Sequence, residues 1–357
     1  MDELKVSAPG RICLFGEHQD YFGLPVIAAA INLRIIISGR KRGDPNFVIA
    51  LPDIQDIERF SLTEDLTYSK ERDYLRSVIN VLRRKNVPIS SGWDCTVQGN
   101  IPINSGTSSS SALVVAWTRF LLEAAESPEA KIPETIAELA FQAEVAEFNE
   151  PGGKMDHYAS SLGGIVDIHF EDRLIVTRFK NPLKEFVLAD SLLRKDTTGT
   201  LGFIKSHVLH GVSEIRSSIK NFRLQNRISD EERDKIEKLS PDVRRLLKGT
   251  LLTRDITAEG ESLFQSDNFD HQKFGQLLTS QHEVLRDYLQ VSAPKLEQMI
   301  KTALTEGALG AKINGSGEGG CIFAYTPHGA DRVAESLKKL DTKVTIIRID
   351  EGARLQA

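Results

Sequence analysis

The chain is 357 residues long, a length that favours two hydrophobic cores over one. An apolar content of 40% is ordinary for a globular protein, and a formal net charge of −5 gives no reason to expect a nucleic-acid partner. No apolar run approaches bilayer length and the first residues carry no signal-peptide pattern, so a cytoplasmic protein without a membrane partner is expected, as a monomer or homodimer. Cys13, Cys95 and Cys321 lie far apart in apolar surroundings and read as small buried residues of a reducing compartment.

In chain order, the first chemistry-bearing segment is Ala8–Tyr21. It packs Arg11, Glu17, His18 and Asp20 close to Gly10 and Gly16, just ahead of a strand. Glu, His and Asp each take hydrogen bonds at fixed angles, as recognition of a polyhydroxylated ligand requires. The same segment also reads as a polar turn with a helix N-cap. Val26–Ser38 is apolar and β-branched enough for a long strand, and Trp93–Val97 for another. Between them Leu75, Val78, Ile79 and Leu82 recur at helical spacing over Asp73–Arg84.

The stretch Ile101–Ala112 ends a polar turn and runs directly into a helix over Ser110–Ala125. A small-residue loop opening a helix aims backbone N–H groups and the positive end of the helix dipole at one spot, which makes an anion site. The successive hydroxyls of Ser108, Ser109, Ser110 and Ser111 add groups able to reach phosphate oxygens or a metal ion. No Gly-Lys-Ser/Thr follows Gly106, so this is not a Walker loop. A second helix is expected over Pro133–Phe148, with proline at its favoured first turn.

The segment Glu144–Asp156 then carries Gly152 and Gly153 ahead of Asp156, freeing the backbone to approach a ligand that the carboxylate faces. Glu144 offers a hard oxygen ligand to magnesium, and Glu147 and Glu150 are its rivals on composition. Gly163-Gly164 stops a short helix, and Ile165–Phe170 with Leu174–Phe179 reads as a hairpin.

From Phe186 the order changes. A strand (Phe186–Ala189), a long helical region (Thr198–Glu306), strands Gly310–Asn314 and Cys321–Tyr325, a helix (Ala330–Leu340) and a last strand (Lys343–Ile349) form the ferredoxin-like pattern with helices inserted in its first crossover. The boundary falls near Lys180–Phe186, dividing the chain into 1–183 and 184–357. The turn Gly310–Cys321 holds more glycine than a hairpin needs, which suggests a backbone lying against something bulky.

Taken together, these segments resemble the three motifs of the GHMP kinase superfamily, the group of galactokinase, homoserine kinase, mevalonate kinase and phosphomevalonate kinase. The run Gly16-Glu17-His18-Gln19-Asp20-Tyr21 is similar to the galactokinase signature, and Asp73–Ile79, Phe274–Leu278, His282–Tyr288 and Val291–Leu296 also resemble galactokinases. The resemblance implies an α+β protein of two domains, an N-terminal β-α-β domain that binds ATP and a C-terminal ferredoxin-like domain with inserted helices. It implies an ATP- and magnesium-dependent kinase acting on a small-molecule sugar, with the anomeric C1 hydroxyl as acceptor.

By the same resemblance Asp156 faces the acceptor hydroxyl with Arg11 beside it, and Ser110 and Glu144 hold magnesium. Ser105, Gly106, Thr107, Ser108, Ser109, Ser110 and Ser111 wrap the ATP phosphates. Glu17, His18, Asp20 and the backbone of Gly153 contact the sugar, while Gly315 to Gly320 support the loop and substrate from the second domain. An aspartate paired with arginine has its pKa lowered by about 1–3 units from about 3.9, leaving an ionised but feeble base.

The chain also departs from the galactokinase pattern. Cys13 stands where an asparagine is usual, Glu318 replaces a bulky apolar residue or glycine, and the phosphate loop has Gly106 as its one glycine. Asn104 is expected to take a left-handed backbone there and preserve the loop's shape. No tyrosine occurs between Tyr158 and Tyr288, where galactokinases place one against the sugar, so sugar phosphorylation is expected more firmly than galactose itself. The alternatives are a different acceptor, such as a sugar acid, another polyol or mevalonate, and a catalytically silent sugar- and ATP-binding regulator. Glu17, His18 and Asp20 argue against mevalonate, whose carboxylate prefers cations to a cluster of acids.

Overall fold

A long strand, β2 (Val26–Lys41), is the spine of the first half. It is described in a computed structural model covering residues 2–63, 66–170 and 173–356. Its antiparallel partner along one side is β1 (Glu3–Phe15). Its other side forks, the near end pairing β6 (Ile165–Phe170) and the far end pairing β5 (Trp93–Gly99). Beyond β5 lies the hairpin of β3 (Asn46–Leu51) and β4 (Asp56–Ser61), and beyond β6 lies β7 (Leu174–Phe179). The expected β6–β7 hairpin is present, and its turn at 171–172 lies outside the described residues.

This half is richer in strand than the sequence suggested. β1 is interrupted by Pro9 and Gly10 and is buried on both faces, so it shows no period-two alternation. Its register slips between Pro9 and Arg11 and again between Cys13 and Phe15. Such bulges bend a strand and re-aim its side chains, which bears on Arg11. Helices α1 (Tyr74–Arg84), α2 (Ser109–Ala124), α3 (Pro133–Phe141) and α4 (Met155–Leu162) cover one face of the sheet. α1 is capped by the buried Asp73, whose side chain accepts from the Arg76 N–H.

The second half has the expected ferredoxin-like arrangement. β8 (Phe186–Asp190), β9 (Gly310–Ile313), β10 (Cys321–Tyr325) and β11 (Lys343–Ile347) form an antiparallel sheet in the order β11-β8-β10-β9. The first crossover holds α5 (Thr197–Arg216), α6 (Asp230–Glu237), α7 (Pro241–Gln265), α8 (His271–Val284) and α9 (Pro294–Thr305); α10 (Ala330–Lys338) makes the second. What read as one helical region is punctuated by start signals: a Ser229/Glu232 capping box, the Asp270 cap, and Pro241 and Pro294 in first turns.

The chain then returns to the first sheet. β12 (Arg354–Leu355) pairs with β1, Val6 opposite Leu355, so the tail of the segment expected to belong to the second half sits on the first. Arg34 fastens it, bonding Asp350 at 2.7 Å, the carbonyls of Glu351 and Gly352, and Ser7 Oγ at 3.0 Å. The halves also share a core, with the rings of Phe15 on β1 and Phe274 on α8 5.7 Å apart and Phe274 meeting Tyr325 at 4.9 Å. The three cysteines are free and buried, and no helix among the described residues is long and apolar enough to cross a membrane.

Candidate active site

The bulge in β1 turns Arg11 toward the first turn of α4, where it forks onto Asp156. Arg11 Nε and Nη2 donate to the two carboxylate oxygens at 2.7 and 2.9 Å, and Nη1 donates to the Gly106 carbonyl. Ser108 Oγ donates to Asp156 Oδ2 at 2.6 Å. Removal from bulk water alone would raise the Asp156 pKa, but the charge and hydrogen bonds of Arg11, with Ser108, hold it below the usual carboxylate value. These groups line a cavity of about 300 Å³ between the halves.

The loop before α2 takes a left-handed backbone three times: Asn104 (φ 61°), Gly106 (φ 88°) and Ser108 (φ 58°). Asn104 thus takes the left-handed backbone expected of it, and Ser108 takes one that was not expected. Ser108 caps α2 without a side-chain cap bond because its hydroxyl is committed to Asp156. Ser105 Oγ donates to Asp190 at 2.6 Å and Thr107 Oγ1 to the Pro102 carbonyl at 3.4 Å, so both hydroxyls are spent on shaping the loop. Ser109, Ser110 and Ser111 line the cavity, and among the described residues none of their hydroxyls bonds within the protein.

The late glycine turn lies against this loop. A Cβ on Gly106 would stand 2.3 Å from the Asn314 carbonyl oxygen, and one on Gly320 (φ 70°) 2.6 Å from that of Ser105. Asn314 Nδ2 donates to the Gly106 carbonyl at 2.8 Å, and the Cys321 N–H donates to the Ser105 carbonyl at 2.8 Å. The bulky neighbour implied by the glycines is the loop backbone itself. Glu318 is exposed and accepts from Thr200 Oγ1 at 2.9 Å.

Glu144 occupies a π turn, Gln142–Ala146, that continues α3. It is buried against the cavity, its carboxylate 2.7 Å from His157 Nε2. Its rivals are otherwise engaged: Glu147 pairs with Arg84 and Tyr68 away from the cavity, and Glu150 lines the cavity but pairs with Arg72 at 2.7 Å.

At the far end, Glu17 is not free to face a ligand with both oxygens. It forms a fully buried pair with Lys312 of β9, which also donates to the Cys13 carbonyl at 3.0 Å. His18 sits in a left-handed backbone (φ 62°) with Nδ1 2.9 Å from the Tyr21 hydroxyl. The Ser316 backbone lies nearby, yet His18 Nε2 makes no hydrogen bond of normal geometry. Burial pulls this histidine down to about 4, so it is neutral at physiological pH. Asp20 accepts from the N–H groups of Met155 (3.1 Å) and Tyr21 (3.0 Å), while burial, and then the charge of Asp156, push it up to about 6. A Cβ on Gly153 would stand 2.1 Å from Asp20 Oδ2, so a side chain there would push that carboxylate out of place.

The second half supplies residues that sequence reasoning missed. Lys195, Thr197 and Leu201 line the cavity opposite the loop. Lys195 Nζ donates to Ser316 Oγ at 3.2 Å, and burial, followed by the charge of Arg11, draws it down to about 8. Nothing in the polar turn Leu193-Arg194-Lys195-Asp196 distinguishes this lysine from a solvated one.

Residues 2–41 match the galactokinase galactose-binding signature, 73–164 the GHMP kinases N terminal domain and 262–341 the GHMP kinases C terminal domain. The chain belongs to the GHMP kinases. It is therefore an ATP-dependent phosphotransferase with an alcohol group as acceptor. Among relatives of this GHMP kinase, the galactokinase of Pasteurella multocida is 27% identical over 91% of this chain and 85% of its own. A mevalonate kinase of Thermococcus onnurineus is 28% identical over 98% and 97%. Among solved structures, Lactococcus lactis galactokinase complexed with galactose superposes with a TM-score of 0.86 at 20% identity, covering 99% of this chain and 95% of the other. The Methanococcus jannaschii mevalonate kinase gives a TM-score of 0.75 at 19% identity, covering 98% and 99%. The GHMP kinase fold thus brings the loop, Asp156, Arg11, Glu144 and the Glu17–Asp20 segment to one cavity.

Proposed function

We propose that this GHMP kinase is a galactokinase-like sugar kinase that transfers the γ-phosphoryl group of ATP to the anomeric hydroxyl of a monosaccharide. The observation that carries the reading is the Arg11–Asp156 fork, set between a phosphate-type loop and a polar end matching the galactose-binding signature. Phosphoryl transfer passes through a loose transition state, so the chain mainly positions the partners and balances charge. The α2 N-terminus and the hydroxyls of Ser109, Ser110 and Ser111 receive the phosphates. Asp156, with a depressed pKa, orients the acceptor hydroxyl and takes its proton late in the transfer.

All three nitrogens of Arg11 are engaged by Asp156 and the loop, so Arg11 fixes the carboxylate. Lys195 uses one of its donors on Ser316 and has others for the transferring phosphoryl oxygens. Ser110 and Glu144 suit magnesium: they are hard oxygen donors on one cavity, and His157 holds the carboxylate. When bound, the ion supplies charge neutralisation on the phosphate oxygens. At the acceptor end, Asp20 and the unpartnered atoms of Glu17 and His18 meet sugar hydroxyls, with Leu201 on the wall of the same cavity.

ADP release measured across a panel of sugars, polyols, sugar acids and mevalonate tests the reading. A monosaccharide is expected to give the largest kcat/KM, with a 1-phosphate as product. Turnover with mevalonate alone would reassign the acceptor, and ATP binding without turnover on any of them would leave a sugar- and ATP-binding regulator.

A further inference from the structure

A second cavity, of about 850 Å³, opens on the other side of the Gly23 turn and contains none of the residues described above as catalytic or binding. Its wall includes His169 and Glu261, and behind them lies Asp167. We propose that Asp167, His169 and Glu261 bind a divalent transition metal, zinc foremost, that ties the β6–β7 hairpin of the first half to α7 of the second.

Asp167 and His169 stand two residues apart on β6 and so share one face of the strand, and Glu261 reaches them from α7. One ligand atom from each lies within 4.8 Å of the others. His169 Nε2 is 3.0 Å from Asp167 Oδ2 and 3.7 Å from Glu261 Oε2. An ion at about 2.1 Å from each ligand separates neighbouring ligand atoms by roughly 3.0–3.4 Å in octahedral or tetrahedral geometry, which these spacings bracket. A histidine merely bridging two carboxylates accounts for the shorter contact, whereas 3.7 Å exceeds a hydrogen bond.

The second observation is independent of the spacing. Asp167 is 2% exposed, and its Oδ1 is buried with no hydrogen-bond partner. A buried carboxylate oxygen left unsatisfied is costly, and a metal gripped by both carboxylate oxygens, Oδ2 on the His169 side and Oδ1 with it, would satisfy it. His169 and Glu261 are each about a quarter exposed on the cavity side, which leaves room for water to complete the coordination. One imidazole and two carboxylates suit zinc, manganese or iron(II).

The test uses the full chain, stripped with a chelator and free of nucleotide. Titration with cobalt(II), followed by displacement with zinc, is expected to give one saturable visible-absorption signal per chain, and excess zinc a rise in Tm of several degrees. Glu261→Gln, a change at a partly exposed position, should weaken zinc binding about tenfold or more and leave ADP release with magnesium-ATP unchanged. Asp167→Asn should do the same to zinc. Glu144→Gln should leave the zinc signal intact, which separates this site from the nucleotide site. Absence of saturable binding in the parent chain would overturn the proposal. So would binding that survives both Asp167→Asn and Glu261→Gln, or that disappears in Glu144→Gln.

Discussion

The two ends of the candidate catalytic cavity are built on opposite terms. At the loop end the polar groups of the backbone and of Ser105, Thr107, Ser108, Arg11 and Asp156 are tied to one another, and the loop holds its left-handed residues by those ties. At the acceptor end, Glu17 Oε1 and His18 Nε2 are buried without partners. An orphaned buried polar atom costs about 1–3 kcal/mol, so the acceptor end holds a cost that a hydroxyl-bearing ligand relieves. The loop end stores its cost in backbone strain instead. A phosphate chain is the same in every turnover and suits a rigid cradle, whereas selectivity among hydroxyl patterns comes from groups that go unsatisfied when the wrong ligand binds.

The most severe break of this contrast is Asp156→Asn, which leaves both ends folded but removes the group between them. We expect kcat to fall about 10²–10⁴-fold with little change in sugar KM, measured by steady-state ADP release. Equal turnover would remove Asp156 from the mechanism.

Next comes the loop end alone. Lys195→Met should lower kcat about 10²-fold, with Lys195→Arg recovering much of it. Lys195 faces Arg11, Asp156, Asp190 and Cys321, and with its pKa drawn down to about 8 the parent enzyme should lose rate as pH rises through that value. Arginine at this position should abolish that limb. A pH–kcat profile unchanged in Lys195→Arg would place the titration elsewhere.

The acceptor end is probed by pH. Burial raises Asp20 to about 6, so the carboxylate is lost as pH falls through that value, and sugar KM should climb while kcat holds. Asp20→Asn should flatten the dependence. The linkage to folding has the opposite sense: the native state holds this proton more tightly than the unfolded chain, so the stability the group contributes is full below about pH 4 and lost as pH rises through about 6. The smallest effect is expected from Ser108→Gly. Relief of a left-handed serine, about 1 kcal/mol, should raise Tm slightly while loss of its bond to Asp156 lowers kcat several-fold.

The loop end was far more legible in the sequence than the acceptor end. A small-residue run opening a strong helix announces itself locally, and Asn104 was readable as a glycine substitute. The family resemblance singled out Glu144, but its residue types and spacing alone could not separate it from Glu147 and Glu150 until the π turn and His157 were in view, because helix periodicity does not include a π turn. β1 was hidden by Pro9, Gly10 and burial on both faces, although Phe47, Ile49 and Leu51 of β3 do alternate inward and that signal was available. Lys195 and Lys312 were invisible, since their placement depends on how the halves meet. That meeting also commits Glu17, read as a sugar contact, to a buried ion pair.

The return of β12 to β1 bears on how the molecule is made. On the ribosome β1 emerges before the rest of both sheets, and its partner, with Leu355 opposite Val6, only after them. Until then the outer edge of β1 is unpaired and the Arg34 guanidinium lacks Asp350. The first sheet therefore closes only after synthesis of the second is complete, and a nascent chain stalled before β12 exposes a sticky strand edge beside a half-buried charge.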